Sequence, residues 1–190
     1  MDKILDILVK SGAILEGHFL LTSGRHSDKY IEKFRLIEKP KSLDFVCSSM
    51  ANLYKNKNIN VVLGAAVGGI LISGGVGQKL NVKHIFTERV NGVMKLRRGF
   101  SLNEKSRVLI VEDIVTTGGS IFELIDIVKS FNANLIGITS ILDRNRQPID
   151  FNFEYKPLVQ YPVDSWASEN IPNWLNKIPI TKPGRSGKKI

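Results

Sequence analysis

Short, unbroken apolar runs alternate along the chain with longer stretches in which apolar residues recur three and four positions apart. Four runs predict buried strands: Val61–Ala65, Lys83–Thr87, Val108–Val111 and Leu135–Leu142. The first three are followed by polar or glycine punctuation. Between them, three segments predict helices. Residues 42–54 follow Pro40, a helix-start residue, and residues 120–131 put Ile121, Leu124, Ile125 and Val128 on one face. The third, 69–80, contains Gly74, Gly75 and Gly77. Each costs a helix about 1 kcal/mol relative to alanine, so close backbone packing is the expected reason for them. Strands alternating with helices of this length predict an α/β fold with a central, mainly parallel sheet covered on both sides. Residues 145–182, rich in proline and holding Trp166 and Trp174, show no clear period; the tryptophans are expected to fill core or interface.

Composition narrows the setting. A chain of 190 residues with 43% apolar and 24% charged residues fits one globular domain, 1–190. No apolar run is long enough to span a bilayer, and the opening Met1-Asp2-Lys3-Ile4-Leu5-Asp6 is charged and amphipathic rather than secretory. The single cysteine, Cys47, shares a helical stripe with Leu43, Val46, Met50 and Leu53, which predicts a core thiol. With no disulfide possible within the chain, the expected location is the cytoplasm. His18, His26 and His84 are too sparse to suggest a metal site, although His26 could lie near a substrate. The formal charge of +9 attracts polyanions, nucleic acid and phosphorylated small molecules alike. Part of it lies in a basic tail from about Lys182, expected to be mobile.

The chemistry concentrates in Arg107-Val108-Leu109-Ile110-Val111-Glu112-Asp113-Ile114-Val115-Thr116-Thr117-Gly118-Gly119-Ser120. An apolar strand ends in two carboxylates, and a loop of hydroxyls and glycines then opens a helix. Ligands of parallel sheets sit beyond the carboxyl ends of the strands. A helix N-terminus there offers unpaired N–H groups and a positive dipole end to a phosphate. Glu112 and Asp113 would repel that phosphate, so their natural partners are sugar hydroxyls, a cation, or positive charge developing on a sugar. A ribose 5-phosphate satisfies both halves, with Mg²⁺ brought largely by a pyrophosphate group. Neither a Gly-x4-Gly-Lys-Ser/Thr loop nor a complete dinucleotide glycine motif is present.

This segment resembles the phosphoribosyl pyrophosphate signature of the type I phosphoribosyltransferases. Further stretches resemble the orotate-specific members, in particular a short bacterial branch. They are His18 to Ser27, Gly64 to Ile70, Thr87-Glu88-Arg89, Leu96 to Phe100 and Leu142-Asp143-Arg144, with an echo at Ile180 to Gly184. The resemblance implies a small N-terminal hood beside the sheet and transfer of the phosphoribosyl group from 5-phosphoribosyl 1-pyrophosphate to orotate, in pyrimidine biosynthesis. It implies that Glu112 and Asp113 hold the ribose hydroxyls and that Ile114, Val115, Thr116, Thr117, Gly118, Gly119 and Ser120 wrap the 5-phosphate. Thr116 and Arg144 would hold orotate, and Ala66, Val67, Gly68 and Gly69 would form the pyrophosphate loop. Arg89 and Lys95 would serve the leaving group, Arg89 in a neighbouring subunit's site, which makes the enzyme a homodimer with shared sites. Arg97 and Arg98 are further cations of that region, and Asn91-Gly92 between Arg89 and Lys95 would lie in a mobile lid. Thr22 stands where long members carry a lysine. Two rival functions share the fold: transfer to another base, such as a purine, and a catalytically silent sensor of the sugar pyrophosphate that grips nucleic acid. No nucleic-acid-binding motif accompanies the latter.

Overall fold

The computed structural model describes residues 3–147 and 149–183; residues 184–189 of the basic tail lie outside these. In chain order the elements are α1 (Lys3–Lys10), β1 (Ile14–Leu20), β2 (His26–Ile31), α2 (Phe34–Ile37), α3 (Pro40–Tyr54), β3 (Val61–Ala65), α4 (Gly68–Leu80), β4 (Lys83–Val90) and β5 (Val93–Leu96). They continue with β6 (Arg107–Val115), α5 (Gly119–Ser130), β7 (Asn134–Asp143), β8 (Tyr155–Gln160), α6 (Asn173–Asn176) and β9 (Ile180–Thr181). The four expected strands and three expected helices are all present, with ends shifted by a few residues.

A six-stranded sheet runs in the order β5-β4-β3-β6-β7-β8. All its pairings are parallel except β4 with β5. Successive side chains of a strand face opposite sides. Val62, Leu109 and Val111 accordingly enter one apolar cluster with α1, α3 and α4. Val61, Leu63, Val108 and Ile110 enter another with α5 and Phe151. Both faces are therefore dry, which explains why these strands read as continuous apolar runs. Cys47 is buried in the first cluster, but Leu53 of the expected stripe is 37% exposed; the buried face runs through Met50, Ala51 and Tyr54 instead. The packing expected of the α4 glycines holds at two of three positions. A Cβ at Gly75 would collide with Cys47 Sγ and one at Gly77 would meet His84 Cβ at 2.8 Å, whereas at Gly74 the nearest atom is 3.7 Å away.

The hood is a second sheet, β2-β1-β9. It is not wholly N-terminal, because β9 pairs in parallel with β1 through His18 and Ile180. His18 and His26 are buried, and His18 Nε2 lies 2.7 Å from His26 Nδ1, one ring donating to the other's bare nitrogen. His26 also exchanges backbone hydrogen bonds with Trp166, whose ring packs edge-on against Trp174. Trp174 is 52% exposed, so of the two places expected for it, core or interface, it does not occupy the core. Among the described residues, no helix is long and apolar enough to cross a membrane.

Candidate active site

Strand β6 runs on through both carboxylates to Val115, rather than stopping before them, because Ile114 and Val115 keep pairing with Leu142 and Asp143 of β7. The acids are thereby rigid strand residues, and the loop proper is only Thr116 to Gly118. Gly118 takes φ +75°, a left-handed conformation that suits glycine, and turns the chain into α5. Residues 114–121 curl around a cavity of about 60 Å³ with Glu112 at its edge. The first N–H groups of α5 have no carbonyl of their own helix to bond, and they open here. These are the residues that the sequence reading expected to wrap a phosphate, and they bound one small hollow.

A second hollow, of about 210 Å³, adjoins it and is bounded by Glu112, Asp113, Ile114 and Ser120 on one side. Ala65, Ala66, Val67 and Gly68 bound the other, with Lys33 completing the wall. The loop after β3 thus faces the acids across open space, and α4 begins at Gly68, directing a second helix N-terminus to the same place. The Ala66–Val67 peptide is cis. Gly69 packs on β3, where a Cβ at Gly64 would collide with its carbonyl oxygen.

The acids themselves are buried. Glu112 is 7% exposed and Asp113 4%. Glu112 Oε1 accepts the Asp113 N–H at 2.9 Å, and Asp113 Oδ1 accepts the Ile114 N–H at 2.6 Å. Asp113 Oδ2 lies 2.5 Å from Lys33 Nζ. Burial, and then the neighbouring Asp113 charge, push the Glu112 carboxyl up to about 8. Lys33, just past β2, is a site residue that the sequence reading missed. Nothing local marks it; only the fold carries it to Asp113, eighty positions on.

The third hollow, of about 540 Å³, lies under the hood. Thr116, Thr117 and Arg144 line it together with Tyr30, Arg25, Ser165 and Pro183. Arg144 follows the end of β7, and burial lowers its pKa. Its Nε is buried with no hydrogen-bond partner among the described residues. An unpaired buried guanidinium N–H is costly and is suited to an anionic ligand. Burial, followed by the Glu32 charge, raises the Tyr30 phenol.

Arg89 and Lys95 line none of these three hollows. They stand on a regular antiparallel hairpin of β4 and β5, where the sequence reading expected a loop. Its turn is Asn91-Gly92, both at positive φ, the combination a two-residue I′ turn requires. Arg89 grips Glu123 of α5 through both terminal nitrogens, at 3.0 and 2.5 Å. Arg98 grips Glu88 at 2.9 Å through Nε and a terminal nitrogen, and Arg98 holds the Glu88 carboxyl below its usual range. Lys95 and Arg97 are exposed. The hollow at the far end of α4, beside Gly74 and His84, has neither acids nor a cradle.

Residues 36–171 match the phosphoribosyl transferase domain family. The orotate phosphoribosyltransferase of a Thermoanaerobacter species (strain X514) is 42% identical over 183 residues, 96% of each chain. That of Thermotoga maritima is 41% identical over 186 residues, 98% of this chain and all of its own. The solved orotate phosphoribosyltransferase of Aeropyrum pernix superposes with a TM-score of 0.72 over 83% of this chain and 93% of that one. At 22% identity that likeness speaks for the fold. Near-complete coverage at about 40% identity speaks for more, and the cradle, the paired acids and the arginine under the hood agree with it: the chain belongs to the orotate phosphoribosyltransferase family.

Proposed function

We propose that this protein transfers the 5-phosphoribosyl group from 5-phosphoribosyl 1-pyrophosphate to a ring nitrogen of orotate, releasing orotidine 5′-monophosphate and pyrophosphate, as a single-domain enzyme of the cytoplasm. One observation carries the reading. Thr116 and Thr117 line both the anion cradle and the hollow that holds Arg144. A sugar phosphate seated in the first and a carboxylate-bearing base seated in the second would meet across them.

The residues then have distinct tasks. The N–H groups of Ile114 to Ser120 hold the 5-phosphate, while Glu112 and Asp113 receive the ribose hydroxyls. As the bond from C1 to pyrophosphate breaks, positive charge grows on the ring, and the Asp113 carboxylate would stabilise it. Ala66, Val67, Gly68 and Gly69 receive the pyrophosphate from the start of α4. Thr116 and Arg144 orient orotate. Arg89 and Lys95 neutralise the departing pyrophosphate, Arg89 from the partner copy of a homodimer. Val67 and Leu71, 71% and 50% exposed, are apolar surface beside the pyrophosphate loop that a second copy would cover.

Mg²⁺ fits this donor set as a passenger of the substrate. No group of three acids, histidines or cysteines among the described residues could hold the ion unaided, and a cation held chiefly by pyrophosphate oxygens and water needs none. When bound, it adds positive charge against the leaving group; the chain's own part is to hold the ribose hydroxyls at Glu112 and Asp113.

Purified protein supplied with orotate, the sugar pyrophosphate and Mg²⁺ should deplete orotate absorbance and release pyrophosphate. Turnover of adenine or guanine in place of orotate, or none with any base, would overturn the reading.

A further inference from the structure

We propose that Lys33 is a positioning residue for this reaction, its ammonium holding the Asp113 carboxylate in the orientation that meets the ribose. The inference rests on the reading of Asp113 as a ribose ligand. Both oxygens of that carboxylate are engaged: Oδ1 by the Ile114 N–H at 2.6 Å and Oδ2 by Lys33 Nζ at 2.5 Å. The plane of the carboxylate is therefore set by one backbone group and one side chain, and only the side chain can be changed by substitution. At 4% exposure, Asp113 without a counterion would be an isolated buried charge, which a protein relieves by protonation or by turning the group toward water.

The surroundings make the dependence sharper. Glu112 adds a second buried carboxyl beside it, pushed up to about 8 by burial and by the Asp113 charge. The other titratable groups that feel Lys33 are Glu112 on β6 and Tyr30 on β2. Gly68 closes the pair from the pyrophosphate side, since a Cβ there would collide with Asp113 Oδ2 and come within 3.4 Å of Lys33 Nζ. Lys33 itself follows the hood strand β2 directly, and its side chain is 32% exposed. It thus ties the segment after the hood strand to the carboxylate on β6.

A plain structural tie would lower the melting temperature and leave the kinetic balance between substrates alone; a positioning role would not. The test uses the whole protein and four variants: Lys33→Met, Lys33→Arg, Asp113→Asn, and Lys33→Met combined with Asp113→Asn. We expect Lys33→Met to lower kcat/KM for the sugar pyrophosphate on the order of 10- to 100-fold. KM for orotate should stay within about twofold, and Lys33→Arg should recover most of the loss. The double variant should be no worse than Asp113→Asn, because two residues acting as one unit are not additive. Lys33→Met within about twofold of the parent on the sugar side, losses that multiply in the double variant, or equal loss for both substrates would each overturn the proposal. Should Lys33→Met fail to fold, Lys33→Gln enters the same cycle under the same criteria. Full activity in Asp113→Asn would overturn the ribose reading together with this one, whereas a damaged Asp113→Asn uncoupled from Lys33 overturns this one alone.

Discussion

Gly68 lies so close over Asp113 that a Cβ on residue 68 would collide with the carboxylate oxygen held by Lys33. Such a collision is cheap when the struck atom can swing aside. Here both carboxylate oxygens are engaged, so the shift must break a contact. Gly68→Ala should therefore lower kcat/KM for the sugar pyrophosphate on the order of 10- to 100-fold while the protein still folds. Steady-state kinetics with a melting curve checks this. Parental kinetics in the alanine variant would mean that the carboxylate moves without penalty.

Glu112 gives stability a pH dependence. Its carboxyl is pushed from an ordinary 4.5 up to about 8 by burial and the Asp113 charge. Below 4.5 both folded and unfolded chains hold the proton, and the full contribution to stability is present. Between 4.5 and about 8 only the folded chain holds it, so stability falls as pH rises, and the loss is complete above the folded value. The fall should be on the order of a few kcal/mol, and Glu112→Gln, uncharged throughout, should flatten it. Urea unfolding at about pH 5 and pH 8 measures the slope in both proteins. Equal slopes would place the responsible proton on another group.

Arg144 lines the hollow under the hood, and its buried Nε has no hydrogen-bond partner among the described residues. Loss of charge-assisted hydrogen bonds worth about 1.5–3 kcal/mol should raise KM for orotate about 10- to 100-fold in Arg144→Ala. KM for the sugar pyrophosphate should move less than about threefold. Equal loss for both substrates would put the base elsewhere.

Arg89 offers a test of shared sites. Mixing Arg89→Ala and Asp113→Asn subunits, each inactive as a homodimer, should regenerate activity if Arg89 serves the partner's cleft. Random pairing makes half the dimers mixed, each with one intact site, so about one quarter of the parental activity should return. Activity that stays at the level of the separate variants would assign Arg89 to its own subunit.

The central sheet was legible because strands dry on both faces leave an unmistakable apolar run, as Val61–Ala65 and Val108–Val111 do. The hood was not. Strand β2, His-Ser-Asp-Lys-Tyr-Ile, is mostly polar, and β1 carries a register irregularity between Glu16 and Phe19 that breaks its alternation. The β4–β5 hairpin was expected as a lid, although Asn91-Gly92 between two apolar-containing segments is a strong local turn signal. Of the candidate site, the loop after β6 stood out because its carboxylates, hydroxyls and glycines are contiguous, and Arg144 entered only through the family resemblance. The Lys33–Asp113 pair could not be read, since it exists only once β2 and β6 have been brought together.

The roof over the hollow under the hood, the proposed base side of the cleft, is stitched from the two halves of the chain: Ile180 pairs with His18, Trp166 with His26, and Pro183 helps line the space beneath. These are pairings of very high sequence separation, whereas the pairings of β3 with β6 and of β6 with β7 span far shorter stretches of chain. During synthesis the sugar half can take shape while the base half still waits for residues beyond 160 to leave the ribosome. A fusion or affinity tag joined directly after residue 183 would press on the last-built wall of the cleft, so its first symptom should be altered choice of base rather than lost grip on the sugar.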